Sequence, residues 1–256
     1  MTNFSLTKRQ SAILRAVNAR GTCTISDLAT QLKVSEETIR RDTRQMEKSA
    51  LLRKLHDRIS LPEQRLEPPL QRRMTENMEA KQRIGEATAE LITEGSSVIL
   101  DPGSTTNYVA RAMCERTHLN VITNSTEIAR VFMSSPGIYV YLAGGEMRHE
   151  DSAAFGPTTL EFLRCFAVET AVLSVGAIDA ERGLMDFDLK HMEYSRFVME
   201  LAERVIVVAD QSKFGVRGLA TVSGLDRMDI LVTDTPPNPP FDNLLAEAAV
   251  LVIVAS

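Results

Sequence analysis

Tryptophan is absent from this 256-residue chain, and all aromatic residues together make up only 5% of it. Its cores must therefore be aliphatic, which a hydrophobic content of 44% can supply for one small and one ordinary domain. Cysteine is nearly as scarce. Cys23, Cys114 and Cys165 are odd in number and far apart, with no C-x-x-C spacing. That excludes a disulfide framework or a zinc site, and all three read as buried thiols acting as small hydrophobes. No metal and no cofactor is expected. Also missing is any apolar run near the roughly 20 residues that cross a bilayer, or a signal-type N-terminus, so a cytoplasmic protein without a membrane partner is expected.

The net charge of -5 argues against nucleic acid only until it is divided along the chain. Residues 1–60 hold 12 of the 29 basic and 6 of the 34 acidic residues, a balance of +6 there and -11 over the rest. A basic head on an acidic body can approach phosphate backbone at one end only. The plainer alternative is a solvated basic face on a helical domain.

Helical spacing of Ile13, Leu14 and Val17 marks a first helix over 7–20, stopped by Gly21. After a short β-branched stretch, Ser26 is expected to cap a second helix with Leu28, Ala29 and Leu32 inside, and Lys33-Val34 turns the chain. Ser35 caps a third helix, whose first turn carries Glu36 and Glu37. At about 100° per residue Ile39, Thr43 and Met46 line its inner side, leaving Thr38, Arg40, Arg41, Arg44 and Gln45 on the free side. Major-groove reading needs such a face: Arg pairs with guanine, Gln with adenine, Thr with a methyl or a phosphate. An alternating segment from Leu51 follows as a wing, bringing Arg53, Lys54 and His56 to phosphates. With Ser35, these nine are the expected DNA-binding residues.

The run from Ile25 to Asp42, with Val34-Ser35 and Thr38-Ile39-Arg40-Arg41-Asp42 at its centre and Arg53 and His56 beyond, resembles the N-terminal signature of the DeoR family of bacterial transcription regulators. Where that family continues from the His into Gly-Gly-Ala, this chain reads His56-Asp57-Arg58-Ile59, so a different wing tip is expected.

Three prolines without periodicity make 61–74 a linker between a winged helix-turn-helix domain at 1–60 and a second domain at 75–256. There a helix over 75–92 precedes seven strand candidates: 97–100, 121–123, 138–143, 171–175, 205–209, 230–233 and 250–254. Their alternation with helices predicts an α/β fold with a mostly parallel sheet covered on both faces.

Ligands of such sheets collect at the carboxyl ends of the strands. The loop Asp101-Pro-Gly-Ser-Thr-Thr106 offers a glycine, three hydroxyls and a helix N-terminus, either an anion cradle or a capped turn. No Gly-Lys-Ser/Thr follows, so triphosphate hydrolysis is not indicated. Thr123-Asn124-Ser125, Ala143-Gly144-Gly145 and Asp210-Gln-Ser-Lys-Phe-Gly215 end three further strands with residues suited to ligand contact, though each is also a common turn former.

These four loops resemble the sensor half of the DeoR family and, beyond it, the ribose-5-phosphate isomerase fold. The resemblance implies that Gly103, Ser104, Thr105, Thr106 and Lys213 grip a sugar phosphate, with Asp101, Asn124, Gly144, Gly145 and Asp210 lining the pocket. It also implies that Asp179 and Glu193 handle sugar hydroxyls. The stretch Arg182 to Asp188, with Glu193 and Arg196, is most similar to members answering to glycerol 3-phosphate. Such a protein would be a homodimeric or homotetrameric repressor of a carbohydrate or polyol operon, released from double-stranded operator DNA by a phosphorylated sugar or polyol. Two rivals stand beside it. One is an isomerase tethered to a DNA-binding head, with Asp179 or Glu193 as base; the other is a regulator whose large domain only oligomerises. No catalytic residue is expected.

Overall fold

The computed structural model describes residues 7, 9–10, 12–13, 16–17, 22–48, 52–55, 58–60 and 67–256. It divides into two compact units, Met1–Leu66 and Glu67–Ser256.

In the first unit, helical residues at 9–10, 12–13 and 16–17 open with a reciprocal cap: the Gln10 amide donates to Thr7 Oγ1 (3.2 Å) and the Thr7 amide to Gln10 Oε1 (3.0 Å). Helix α1 (Ile25–Leu32) is capped by Thr24, whose hydroxyl accepts the Asp27 amide at 3.0 Å. This corrects the expected Ser26 cap. Thr24 is the extended residue at the helix entry, whereas Ser26 already lies inside the first turn and is exposed. Lys33, left-handed with φ 53°, closes α1 and turns the chain into α2 (Glu36–Lys48). There the Ser35 hydroxyl accepts the Thr38 amide at 3.3 Å. Ile39, Thr43 and Met46 are buried as their spacing requires, packing with Ile13, Val17, Leu28 and Ile59. Strands β1 (Thr22–Thr24), β2 (Arg53–Leu55) and β3 (Arg58–Ser60) form an antiparallel sheet in the order β1-β3-β2. Leu55 pairs with Arg58, so Arg58 and Ile59 belong to the returning strand of the wing.

Of the expected linker, residues 67–74 belong to the second unit. Helix α3 (Leu70–Arg73) is built there, and the Leu70 amide donates to the Glu150 carbonyl at 2.7 Å. Leu70 and Arg73 are both buried, an organisation that the prolines concealed. Helix α4 (Met78–Ala89) follows a left-handed Asn77, φ 51°.

All seven strand candidates form one parallel sheet. Its strands are β4 (Ser97–Leu100), β5 (Leu119–Thr123), β6 (Ile138–Leu142), β9 (Val168–Ser174), β12 (Ala202–Val208), β14 (Ile230–Thr233) and β15 (Leu251–Val254), in the order β15-β14-β12-β9-β4-β5-β6. Alternate residues feed opposite cores. Ile99, Leu173, Val207 and Leu231 pack with side chains from α7 (Pro157–Leu163), α8 (Leu189–Leu201) and α9 (Phe241–Glu247). Val98, Leu100, Val121, Ile206 and Val232 pack with α4, α5 (Ser104–Met113) and α6 (Thr126–Phe132). Beside this sheet lie a hairpin of β7 (Glu146–Arg148) and β8 (Ala153–Phe155) and an antiparallel sheet of β10 (Ala177–Asp179), β11 (Gly183–Asp186) and β13 (Ala220–Ser223).

Cys23 is buried, as expected, but Cys165 is exposed and Cys114 half-buried. Cys165 falls in the turn that ends α7, where the chain leaves the packed face. No described helix is long and apolar enough to cross a membrane.

Candidate nucleic-acid interface and anion site

The inner residues of α2 fix its outward face. Arg41, Arg44 and Gln45 are exposed, and Thr38 and Arg40 half-buried. Three of them are tethered, each differently. Arg40 pairs with Glu36 one turn earlier at 3.2 Å, Thr38 Oγ1 lies 2.8 Å from Ser35 Oγ, and Gln45 Oε1 accepts a bond from the buried Gln10 at 3.2 Å. Asp42 accepts both Arg9 Nε and, at 3.1 Å, Arg9 Nη2, which ties α2 to the first helical segment. The wing places Arg53 and Lys54 on β2, where their side chains lie outside the description, as does all of His56. Arg58, which the sequence reading passed over, is exposed on β3.

In the second unit the strand order reverses between β4 and β9, the switch point where open α/β sheets bind ligands. Asp101 sits there. Its carboxylate accepts the Gly103 amide (3.2 Å), the Ser174 amide (2.9 Å) and the Ser174 hydroxyl (3.2 Å), joining the ends of both strands. Burial pushes its pKa up to about 6 against the pull of those bonds. Gly103 has an ordinary φ of -78°, so glycine is needed for space. A Cβ there would lie 1.7 Å from Ser174 Oγ. Ser104, Thr105 and Thr106 all lie buried at the start of α5, but the Thr106 hydroxyl donates to the Asp101 and Gly103 carbonyls (2.8 and 2.9 Å). At this residue the capped-turn alternative is realised.

Asn124 is fully buried; its Nδ2 donates to the Ala154 carbonyl at 2.8 Å, and its Oδ1 has no hydrogen-bond partner among the described residues. Gly144 accepts the Thr159 hydroxyl at 2.9 Å, and Gly145, at φ 155°, leaves only 2.3 Å between a would-be Cβ and that same oxygen. Asp210 caps a short 3-10 turn through the Ser212 amide (3.0 Å) and accepts Asn77 Nδ2 (3.0 Å), while its buried Oδ2 has no hydrogen-bond partner among the described residues. It also borders an open cleft of about 680 Å³, together with Asn77, Arg83, Ser212 and Asp234.

Two further implied residues are Asp179, next to Ile178, whose carbonyl accepts the Gly215 amide at 2.9 Å, and Glu193. Asp179 accepts the amides of Glu181 and Arg182 (3.0 Å each) at a turn of the small antiparallel sheet. Glu193 is exposed on α8, whose inward residues include His191, Tyr194 and Ser195. Two positions separate His191 from Glu193, about 200° of helix rotation, which turns one outward when the other faces in.

The sequence reading missed a buried ionic network. Lys213 pairs with Glu67 (2.9 Å), Glu67 with Arg73 (2.9 Å) and Arg73 with Asp151 (2.7 Å). Asp151 then meets His191 and Arg148 at 3.1 Å each, and Arg148 reaches Asp188. Burial works against the imidazolium of His191, but Asp151, Asp186 and Glu67 outweigh it and raise its pKa. Lys81 is buried with its ammonium donating to the Arg73 carbonyl at 2.7 Å; burial, then repulsion from Lys213 and Arg73, lowers its pKa. Because these charges compensate one another across 146 residues of chain, no local pattern announces them. Among the described residues, no group of three or more His, Cys, Asp or Glu could hold a metal ion.

A helix-turn-helix with a wing and a parallel sheet carrying a polar cradle at its switch point together define a DNA-binding regulator with a sensor domain. The chain belongs to the DeoR family: residues 9–65 match its DeoR-like helix-turn-helix domain and residues 76–235 its C-terminal sensor domain. It is 31% identical to the glycerol-3-phosphate regulon repressor of Escherichia coli K12 over 231 residues, covering 90% of this chain and 92% of that one. Identity to the HTH-type transcriptional repressor CsqR of the same organism is 29% over 99% of this chain and 97% of that one, and to the repressor GlcR of Bacillus subtilis 32% over 96% and 95%. Among solved structures, ribose 5-phosphate isomerase A of Methanocaldococcus jannaschii overlaps 54% of this chain and 55% of its own, at 18% identity and a TM-score of 0.40.

Proposed function

We propose that this protein is a cytoplasmic repressor of a carbohydrate or polyol catabolic operon, reading double-stranded operator DNA through α2 and releasing it when a phosphorylated sugar or polyol, similar to glycerol 3-phosphate, binds the second unit. One observation carries the DNA half: α2 buries Ile39, Thr43 and Met46 while exposing Arg41, Arg44 and Gln45. The relatives named as repressors support the direction of control. For the effector, the supporting features are the cradle of Gly103, Ser104 and Thr105, the orphaned acceptors of Asn124 and Asp210, which suit hydroxyl donors, and the cation Lys213. Binding without turnover fits the positions of Asp179 and Glu193, one capping a turn and the other facing out.

Self-association as a dimer or tetramer completes the reading, because two recognition helices then meet two half-sites. It is supported by edge strand β6, Ile138–Leu142, which carries no charge, glycine or proline and leaves Tyr139 68% and Leu142 44% exposed. The test is a thermal-shift screen of sugar and polyol phosphates, with glycerol 3-phosphate first. A true effector at 100 times its Kd stabilises the native protein by about 2.7 kcal/mol and releases promoter DNA. A screen in which no phosphate ester moves the transition would defeat the sensing half.

A further inference from the structure

The wing departs from the family pattern at its tip, and the departure adds a cation. Arg58 stands where the pattern has the second glycine after the histidine. A chain that keeps the glycine has no side chain there, so whatever Arg58 contacts is a property of this protein. Arg58 is exposed on β3, and among the described residues none forms an ion pair or hydrogen bond with it. Arg9 and Arg40, by contrast, are held by Asp42 and Glu36.

The register of the small sheet fixes where Arg58 points. Ile59 and its cross-strand partner Cys23 are both buried, which turns Arg58 and its partner Thr24 to the opposite face. On its other side Arg58 pairs with Leu55, so only two residues join β2 to β3, and Arg58 stands at the tip of the hairpin. Strand β2 packs against α2, which sets the hairpin beside the reading helix. Thr24 also caps α1, so the start of that helix lies next to Arg58.

With α2 in a major groove, a hairpin at its flank meets the adjoining sugar-phosphate strand and the minor groove beyond. That groove is about 6 Å wide, too narrow for a pair of strands but open to one extended arginine. A·T pairs offer acceptors on its floor, whereas the guanine amino group intrudes at G·C. Runs of A·T also narrow the groove and deepen its negative potential, which draws a weakly hydrated guanidinium.

We propose that Arg58 enters the minor groove flanking the sequence read by α2 and extends the operator by a short A·T-rich segment. The inference rests on the reading that α2 occupies the major groove. Because no described residue pairs with Arg58, its guanidinium gives up no internal ion pair to bind there.

The experiment uses the full chain as wild type, Arg58→Thr and Arg58→Lys. The wild type selects sites from a randomised duplex library, and anisotropy titrations then measure all three proteins on a selected duplex flanked by A·T, G·C or inosine·C pairs. Inosine lacks the amino group that guanine presents in the minor groove, so it resembles A·T there while keeping the major-groove edge of guanine. Selected sites carry A·T flanks; G·C flanks weaken wild-type binding about fivefold, and inosine restores it. Arg58→Thr, which suits a strand, binds the three duplexes alike. Arg58→Lys keeps the charge but loses most of the preference, its ammonium being more strongly hydrated. Inosine flanks as weak as G·C would place the readout in the major groove and overturn the proposal. So would a flank preference that survives in Arg58→Thr behind a uniform loss of affinity and a flatter salt dependence, the mark of a phosphate contact. A selection that yields a core sequence with indifferent flanks removes Arg58 from the readout and leaves α2 as the reader; a selection that yields no sequence takes both away. Should Arg58→Thr not fold, the wild-type inosine result and Arg58→Lys decide the matter.

Discussion

Replacing Gly103 with alanine tests the cradle without altering a charge. The new Cβ would stand 1.7 Å from Ser174 Oγ and 2.7 Å from Ser174 Cβ. Rotating the hydroxyl away relieves the first contact only, so the backbone at the ends of β4 and β9 must part. Overpacking of this kind costs about 1–3 kcal/mol. The Ser174 amide and hydroxyl would also be drawn off the Asp101 carboxylate, at a further cost of about 1–3 kcal/mol for weakened bonds to a buried acceptor. Together they approach about 4 kcal/mol. For a unit of this size that lowers the melting temperature by on the order of 10 °C, measurable by calorimetry of the full chain, with promoter binding retained below the transition. Adding Ser174→Gly to the Gly103→Ala chain removes both offending atoms, so it should recover more stability than Ser174→Ala, which keeps the Cβ. A Gly103→Ala protein within 0.5 kcal/mol of wild type would refute the close approach of the two strand ends.

Further outcomes follow from the same geometry. Arg41→Ala and Arg44→Ala each weaken promoter binding, and where a phosphate contact is lost the slope of log K against log salt flattens by about 0.9, read from anisotropy titrations at several salt concentrations; unchanged affinity in both would exclude this face of α2. Asp101 holds its proton more tightly in the folded than the unfolded chain, with a pKa of about 6 against 3.8. Its contribution is therefore fully present below pH 3.8 and lost as pH rises through about 6, a difference of about 3 kcal/mol. Measured by urea unfolding, wild type should thus lose about that much stability relative to Asp101→Asn between pH 3.5 and pH 7, and a pH-independent difference would count against a buried, protonatable Asp101.

Regular periodicity makes the helix-turn-helix and the parallel sheet legible in the sequence itself. The β-branched runs at 97–100 and 230–233 match β4 and β14 residue for residue, because a strand buried on both faces has little choice but continuous aliphatics. Short antiparallel strands such as β10 and β11 escaped notice: three or four residues around a turn carry no period to read. The cradle loop was visible in Asp101 to Thr106, yet not the inward use of Thr106, since a hydroxyl that ties its own turn has the same sequence as one offered to a ligand. Least legible was the ionic network. Glu67 and Arg73 lie in a proline-rich stretch that reads as linker, and only the fold brings them to Lys213 and Asp151.

The most direct measurement is a competition of the full-length protein between a promoter fragment of a sugar or polyol operon and random duplex at moderate ionic strength, repeated with phosphorylated sugars and polyols. We predict a preference for one promoter of at least a thousandfold, diminished by one of the phosphate esters. Equal binding to promoter and random DNA under every condition would contradict both the reading helix and its control by the second unit.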